Sequence, residues 1–135
     1  MINLDLSINT DLTIGILTSF IQSETTRAGF QKGLVGLSGG LDSSIACALA
    51  AKALGPQNVL AVRMPYRTSS SDSLEHAQLI IDQFGVEAIT ISITAMADGL
   101  INAFPEMSNQ RKGNIMARCR MIVLFDQSST YNGLV

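Results

Sequence analysis

Seven residues, Ser38-Gly39-Gly40-Leu41-Asp42-Ser43-Ser44, restrict what this chain can fold into more than any other stretch. They follow a short apolar run, Gly33-Leu34-Val35-Gly36-Leu37, which reads as a buried strand. They open an alanine-rich stretch from Ile45 to Leu54, which reads as a helix stopped by Gly55-Pro56. A strand, a glycine turn and a helix in that order belong to open α/β sheets, which bind ligands outside the carboxyl ends of their strands. Gly39 and Gly40 allow a sharp turn and a close backbone approach, because neither carries a Cβ. The exposed N–H groups of such a turn and of the first helical turn face an anion, and Ser38, Ser43 and Ser44 add hydroxyl donors. The bland alternative is a Gly-Ser turn with an ordinary helix cap at Asp42 or Ser43.

Asp42 sharpens the reading. A carboxylate beside bound phosphates repels them unless a cation lies between, and Mg²⁺ prefers oxygen ligands of this kind. The loop lacks the Gly-Lys-Ser/Thr ending of a Walker A sequence, so it is not the usual site for cleavage at a terminal phosphate.

The rest of the chain repeats the strand–helix alternation. A helix is expected from Leu12 to near Gly29, capped by Asp11 or Thr10, with Leu12, Ile16 and Phe20 on one apolar stripe that Ile14, Leu17 and Ile21 widen. Asn58–Met64 reads as a strand closed by Pro65, and Arg67 to Ser71 as a polar loop. A helix capped by Asp72 follows through Phe84 and stops at Gly85. Val86 to Ile93 is rich in β-branched residues and reads as a strand. A short helix capped by Thr94 runs to Ala103, and a long one covers Arg111 to Phe125. Such alternation implies right-handed crossovers and a parallel sheet with helices on both faces. The chain stops at Gly133-Leu134-Val135, where another strand opens, so an apparently truncated product is expected.

Composition excludes several classes. With 135 residues the chain suits one domain, and 47% apolar with 15% charged residues supports a core rather than disorder. A net charge of −2 with no basic stripe argues against nucleic acid as a partner. No apolar run is long enough to span a bilayer, and residues 1–10 carry no signal peptide pattern. The two cysteines, Cys47 and Cys119, sit in apolar helical runs and read as buried free thiols, which fits a reducing cytoplasm.

Two further segments carry physical content. Arg63 lies at the carboxyl end of its strand, beside the glycine loop, within reach of a phosphate or ribose. On the last helix Arg111, Asn114 and Arg118 fall at i, i+3 and i+7 and share one face, beside an apolar face of Ile115, Cys119 and Ile122, with Leu124 and Phe125 near the end. An Arg-Asn-Arg face suits a dinucleotide bearing phosphates and a carboxylate, because arginine binds both in a bidentate manner. A solvated helix face is the plain alternative. His76 has no partner at metal or triad spacing, Asp126 reads as a solvent residue, and the methionines read as core filler.

The SGGxDS loop resembles the signature of the N-type ATP pyrophosphatases. The stretch Val62-Arg63-Met64-Pro65-Tyr66-Arg67-Thr68-Ser69-Ser70 is similar to the segment after the second strand of NAD synthetases. Lys112-Gly113-Asn114-Ile115-Met116-Ala117-Arg118-Cys119-Arg120-Met121 resembles their G-N-x-x-A-R-x-R-M helix. The resemblance extends over most of the chain and implies an α/β fold, the parallel-sheet three-layer sandwich of the adenine nucleotide alpha hydrolase-like kind. It implies ATP at Gly36, Leu37, Ser38, Gly39, Gly40, Leu41, Asp42 and Ser43, Mg²⁺ at Asp42, and deamido-NAD at Arg118. Arg63, Arg111 and Asn114 rest on the physical argument alone. The implied reaction is ammonia-dependent amidation of deamido-NAD through an adenylated intermediate, with AMP and pyrophosphate released and no protein nucleophile. The family also implies a homodimer when full length, and a G-T-x-x-x-x-E segment that does not occur within these residues. Alternatives are another adenylating enzyme of the superfamily, such as a tRNA-thiolating one, and a truncated, non-catalytic nucleotide-binding remnant.

Overall fold

The computed structural model describes residues 7–135. Helix α1 (Thr10–Arg27) leads to strand β1 (Gly33–Gly36), then α2 (Leu41–Leu54), β2 (Val59–Arg63), α3 (Ser71–Phe84), β3 (Glu87–Thr90), α4 (Thr94–Ile101) and α5 (Asn109–Tyr131). The three strands pair in parallel in the order β1-β2-β3, with Leu34 opposite Leu60 and Ala61 opposite Ala88. On the free edge of β1, Gly33 forms a parallel bridge with Leu134, through Leu34 N–H to the Leu134 carbonyl (2.7 Å) and Leu134 N–H to the Lys32 carbonyl (2.9 Å).

Period-two alternation along β2 divides the core. Val59 and Ala61 point to one face, where they pack with Cys47, Ala50 and Ala51 of α2 and with Ala77 and Ile81 of α3. Leu60 and Val62 point to the other, against Ala97 and Ile101 of α4 and Cys119 and Val123 of α5. The sheet is therefore the middle of three layers, as the alternating pattern predicts, and α1 packs outside α2. Both cysteines are free and buried. No helix among the described residues is long and apolar enough to cross a membrane.

Several local expectations are corrected. Asn9, not Asp11 or Thr10, caps α1, its side chain accepting from Leu12 N–H at 3.0 Å. Ser70, not Asp72, caps α3, and α4 begins at Thr94 with Ile93 as cap and no side-chain bond there. Helix α2 starts at Leu41, four residues before Ile45, so Asp42 and Ser43 are helical. Strand β3 is only Glu87–Thr90, and α4 ends at Ile101. Helix α5 continues six residues past Phe125, to Tyr131, and closes on Asn132 in the left-handed conformation (φ 54°). The stripe Leu12, Ile16, Phe20 does not face the core; each is about 60% exposed. Ile14 and Ile21 lie nearer the protein instead, and Thr25 is buried. Ile122 and Phe125 are likewise exposed. His76 is on the surface, as expected.

Candidate functional site

The order of connections fixes where a ligand belongs. From β1 the chain moves outward through α2 to β2 and through α3 to β3, then returns along the other face through α4 and α5 to Leu134, on the far side of β1. The strand order therefore reverses at β1, and a crevice opens beyond its carboxyl end. The loop Leu37 to Gly40 lies at that place.

Gly39 adopts φ +81°, a conformation that favours glycine, and a Cβ on it would overlap the main-chain carbonyl of Ser73. The start of α3 thus closes down on the glycine turn. The serines bond the loop to itself: Ser38 N–H donates to Ser43 Oγ (3.2 Å), Ser43 Oγ donates to the Gly40 carbonyl (3.0 Å), and Ser44 Oγ to the same carbonyl (2.9 Å). Gly40, the N-cap of α2, supplies no side-chain bond. The amides of Leu41, Asp42 and Ser43, first in the helix, have no intrahelical acceptor and carry its positive dipole end.

A cleft of about 310 Å³ opens beside this loop, lined by Gly36, Leu37 and Ser38, by Arg63 to Pro65, by Ser69, Ser73 and Leu74, and by Arg120. That volume lies within the range of small-molecule sites. Arg63 shares the parity of Val59 and Ala61 and so points toward α3, where Nη1 donates to Gln78 Oε1 at 2.7 Å. Its Nε is buried without a partner, an uncompensated donor in the wall of the cleft. Arg120 enters from the other face, its Nε donating to the Met64 carbonyl at 3.2 Å. Two guanidinium groups thus converge with the serine loop, and among the described residues no carboxylate lines the cleft.

Asp42 is exposed and makes no ion pair among the described residues. Among those residues no group of three or more His, Cys, Asp or Glu is placed to hold a metal. Mg²⁺ commonly takes one or two protein carboxylates and completes its shell with phosphate and water oxygens, so a single exposed carboxylate such as Asp42 has the chemistry to serve as one of its ligands.

The second polar feature lies elsewhere. Arg111, Asn114 and Arg118 line one hollow of about 280 Å³ with Leu100, Met107 and Ile115, between α4 and α5. Arg118 Nη1 donates to the Asn114 carbonyl at 3.2 Å, and the Arg111 guanidinium lies 5.8 Å from the Phe104 ring centroid. The structure brings these three together as their helical spacing predicts, and it places Ser69, from a stretch weighed equally as a loop near the nucleotide and as a solvent loop, in the cleft; Arg120 and Ser73 were missed as neighbours of the loop. The signal for Arg120 is its spacing of two from Arg118, which sends it to another side of the helix. A larger hollow, between α1, α2 and the end of α3, is lined mainly by apolar side chains such as Ile14, Leu17 and Leu49, with Lys52 as the one charged residue among the described ones. It lacks the converging polar groups of the cleft.

Residues 13–135 match the family model described as NAD synthase. The chain is 50% identical over 130 residues to the NH(3)-dependent NAD(+) synthetase of Trichlorobacter lovleyi, covering 96% of this chain and 48% of that protein. It is 47% identical over 135 residues to the enzyme of the same name from Chlorobium phaeobacteroides, covering 100% and 49%. The chain thus spans about half the length of the curated relatives it matches. The fold matches an NH3-dependent NAD synthetase from Campylobacter jejuni, determined in complex with the nitrate ion, with a TM-score of 0.87 and 30% identity over 94% of this chain and 55% of that one. It also matches a glutamine-dependent NAD+ synthetase from Acinetobacter baumannii, determined with adenosine diphosphate, with a TM-score of 0.85 and 27% identity over 98% of this chain and 26% of that one. A switch-point glycine loop, the arginine-bearing last helix and a family match over nearly the whole length lead to one conclusion: this chain belongs to the NAD synthase family.

Proposed function

We propose that this chain supplies the ATP-binding cleft of an ammonia-dependent NAD synthetase, which amidates deamido-NAD to NAD. The observation that carries the reading is the cleft that Gly36, Leu37 and Ser38 line together with Arg63 and Arg120, beside a glycine turn that admits no Cβ and leads into the first turn of α2. Residues 1–135 are read as one ATP pyrophosphatase-type domain, and the reducing environment that suits its free cysteines as cytoplasmic.

In this reading the phosphates of ATP lie along Ser38 to Ser43, with Gly36 and Leu37 beneath the nucleotide. Arg63 and Arg120 offset their charge from opposite faces of the sheet. Bound at Asp42, Mg²⁺ would supply positive charge to the departing pyrophosphate. Arg111, Asn114 and Arg118 hold the acidic groups of deamido-NAD. The nicotinate carboxylate attacks the α-phosphorus of ATP, an oxygen–phosphorus bond forms, and pyrophosphate leaves with the electrons of the broken bond. Ammonia then adds to the mixed anhydride's carbonyl carbon, loses a proton, and AMP departs. The chain's own contribution is positioning and charge stabilisation, with no protein nucleophile. Exposed Met121, Ile122 and Phe125 on α5 suit burial in a homodimer.

The fold alone does not select the substrate or nitrogen source, since it is shared with a glutamine-dependent enzyme and with an NMN synthetase from Francisella tularensis (TM-score 0.85, 25% identity over 94% of this chain and 53% of that one). A thiol-dependent tRNA-thiolating reading is disfavoured by the burial of Cys47 and Cys119, and burial pushes the Cys47 thiol up from its ordinary value. The test has two parts. Titration with Mg·ATP is expected to shift the amide resonances of residues 38–43; unmoved resonances would overturn the cleft assignment. Assay of a full-length version with ATP, deamido-NAD and ammonia is expected to yield NAD and pyrophosphate; binding without either product would identify a non-catalytic nucleotide binder.

A further inference from the structure

The segment between β2 and α3 runs over the carboxyl edge of the sheet. Tyr66 is buried on the α4/α5 face, among Ile93, Ala97 and Met107. Four residues on, Ser70 caps α3 on the opposite face. The segment is therefore a strap over the crevice, and Ser69 of that strap lines the cleft. A tight turn closes it: Ser69 N–H donates to the Tyr66 carbonyl (2.8 Å), while Tyr66 N–H donates to Ser69 Oγ (3.0 Å). Wherever Tyr66 is held, Ser69 follows.

Tyr66 is held by α4. Its hydroxyl donates to Asp98 Oδ1 at 2.7 Å, and the guanidinium of the next residue, Arg67, donates from Nη1 to Asp98 Oδ2 at 3.0 Å. Each carboxylate oxygen thus takes one bond from the strap. The carboxylate is shielded, with 19% of the Asp98 side chain exposed, while Arg67 is 54% exposed and lies 5.4 Å from the Tyr66 ring centroid. Asp98 itself does not line the cleft. A half-buried carboxylate satisfied by two adjacent residues of an irregular segment fixes that segment more strongly than the turn can alone, because charge-assisted bonds are shorter and stronger than neutral ones.

We propose that Asp98 is a positioning residue for the nucleotide cleft: through Tyr66 and Arg67 it anchors the strap and so places Ser69 and the start of α3 against the glycine loop. The inference rests on the reading of the cleft as an ATP site. It names no ligand contact for Asp98. It assigns α4, which otherwise contributes to the Arg111–Arg118 hollow through Leu100, a second task in shaping the cleft.

The test compares the unsubstituted chain with Asp98→Ala, Arg67→Ala and Arg67→Lys, by calorimetric titration with Mg·ATP and by hydrogen exchange at the Ser69 amide. Asp98→Ala is expected to weaken Mg·ATP about tenfold, the scale of one lost charge-assisted bond, and to speed exchange at Ser69. Arg67→Ala, at an exposed position that leaves the core intact, is expected to weaken it about threefold, and Arg67→Lys to restore most of that loss by keeping a cation beside Asp98. Failure of the unsubstituted chain to bind Mg·ATP would overturn the nucleotide reading itself. Binding by the unsubstituted chain with undiminished affinity in both alanine variants would overturn the role of Asp98 alone. Weakened binding with unchanged Ser69 protection would overturn it as well, since the loss would then not pass through the strap.

Discussion

Arg118 and Arg120 are two residues apart on α5 yet open into different hollows, Arg118 into the one between α4 and α5 and Arg120 into the cleft beside the glycine loop. The cause is helical geometry: two residues advance the helix by about 200°, so neighbours at that spacing face nearly opposite ways. One helix thereby presents a cation to each cavity. Replacing each arginine by glutamine is expected to separate the ligands. Arg120→Gln should weaken Mg·ATP ten- to a hundredfold, roughly the worth of a bond to a charged group, and leave deamido-NAD nearly unaffected; Arg118→Gln should do the reverse. Calorimetric titration of both variants with both ligands checks this, and equal losses for both ligands in either variant would refute the separation.

Gly39 and Gly15 are expected to respond oppositely to alanine. At Gly39 the backbone has φ +81° and a Cβ would overlap the Ser73 carbonyl, so Gly39→Ala should cost about 1–3 kcal/mol of stability and weaken nucleotide binding. Gly15 sits inside α1 with nothing within 4 Å of a built Cβ, so Gly15→Ala should stabilise by about 0.5–1 kcal/mol. Denaturant unfolding of the two variants decides the matter.

The Tyr66 hydroxyl, bonded to Asp98 and shielded by burial, ionises above its ordinary value near 10, the hydrogen bond to Asp98 being the larger cause. For a group whose pKa is raised on folding, the stabilisation is complete below the unfolded value and is lost as pH climbs through the folded one. The contribution of this contact should therefore be constant to about pH 10 and fade above it. In a Tyr131→Phe background, tyrosinate absorbance should titrate above the ordinary value. Asp98→Asn should bring the titration back toward it, and coincident curves would contradict the assignment.

Exposed Ile122 and Phe125 on α5 predict self-association. Sedimentation of a full-length version should give a dimer, and a monomer with Phe125→Glu. The unfolding free energy of the separated protomer should change by no more than about 0.5 kcal/mol, as for other surface positions. A monomeric full-length version without the substitution would dismiss the homodimer.

Much of this architecture is legible from local chemistry. The Ser38-Gly39-Gly40 turn lies between β1 and α2 as its composition demands, with Leu41 to Ser44 opening the helix, and β2 was recognisable because both its faces are covered, leaving Val59 to Val62 uniformly apolar. What escaped depends on neighbours. The apolar stripe of Leu12, Ile16 and Phe20 shows that a face lacks water-seeking groups, but α1 is an outer helix over α2 and turns that stripe to the surface. Ser70 and Asp72 are both competent caps, and the choice fell to the residue whose hydroxyl meets the Ser73 amide. Helix α5 ran past the expected end at Phe125 and closed on Asn132 in the left-handed conformation, a position that glycine fills more often. Arg120 became visible as a cleft residue only when α5 was laid across the sheet.

The approach of Gly39 to Ser73 is lopsided in what it asks of the two positions. The loop must lack a side chain, but the surface it meets is main chain, which every amino acid carries. Substitution can therefore range widely at Ser73 with the gap between the two segments preserved, whereas at Gly39 any added carbon pries them apart. The spacing of the cleft is set by the polypeptide itself, and variation among descendants of this sequence is free to alter what decorates the cavity without altering how wide it stands.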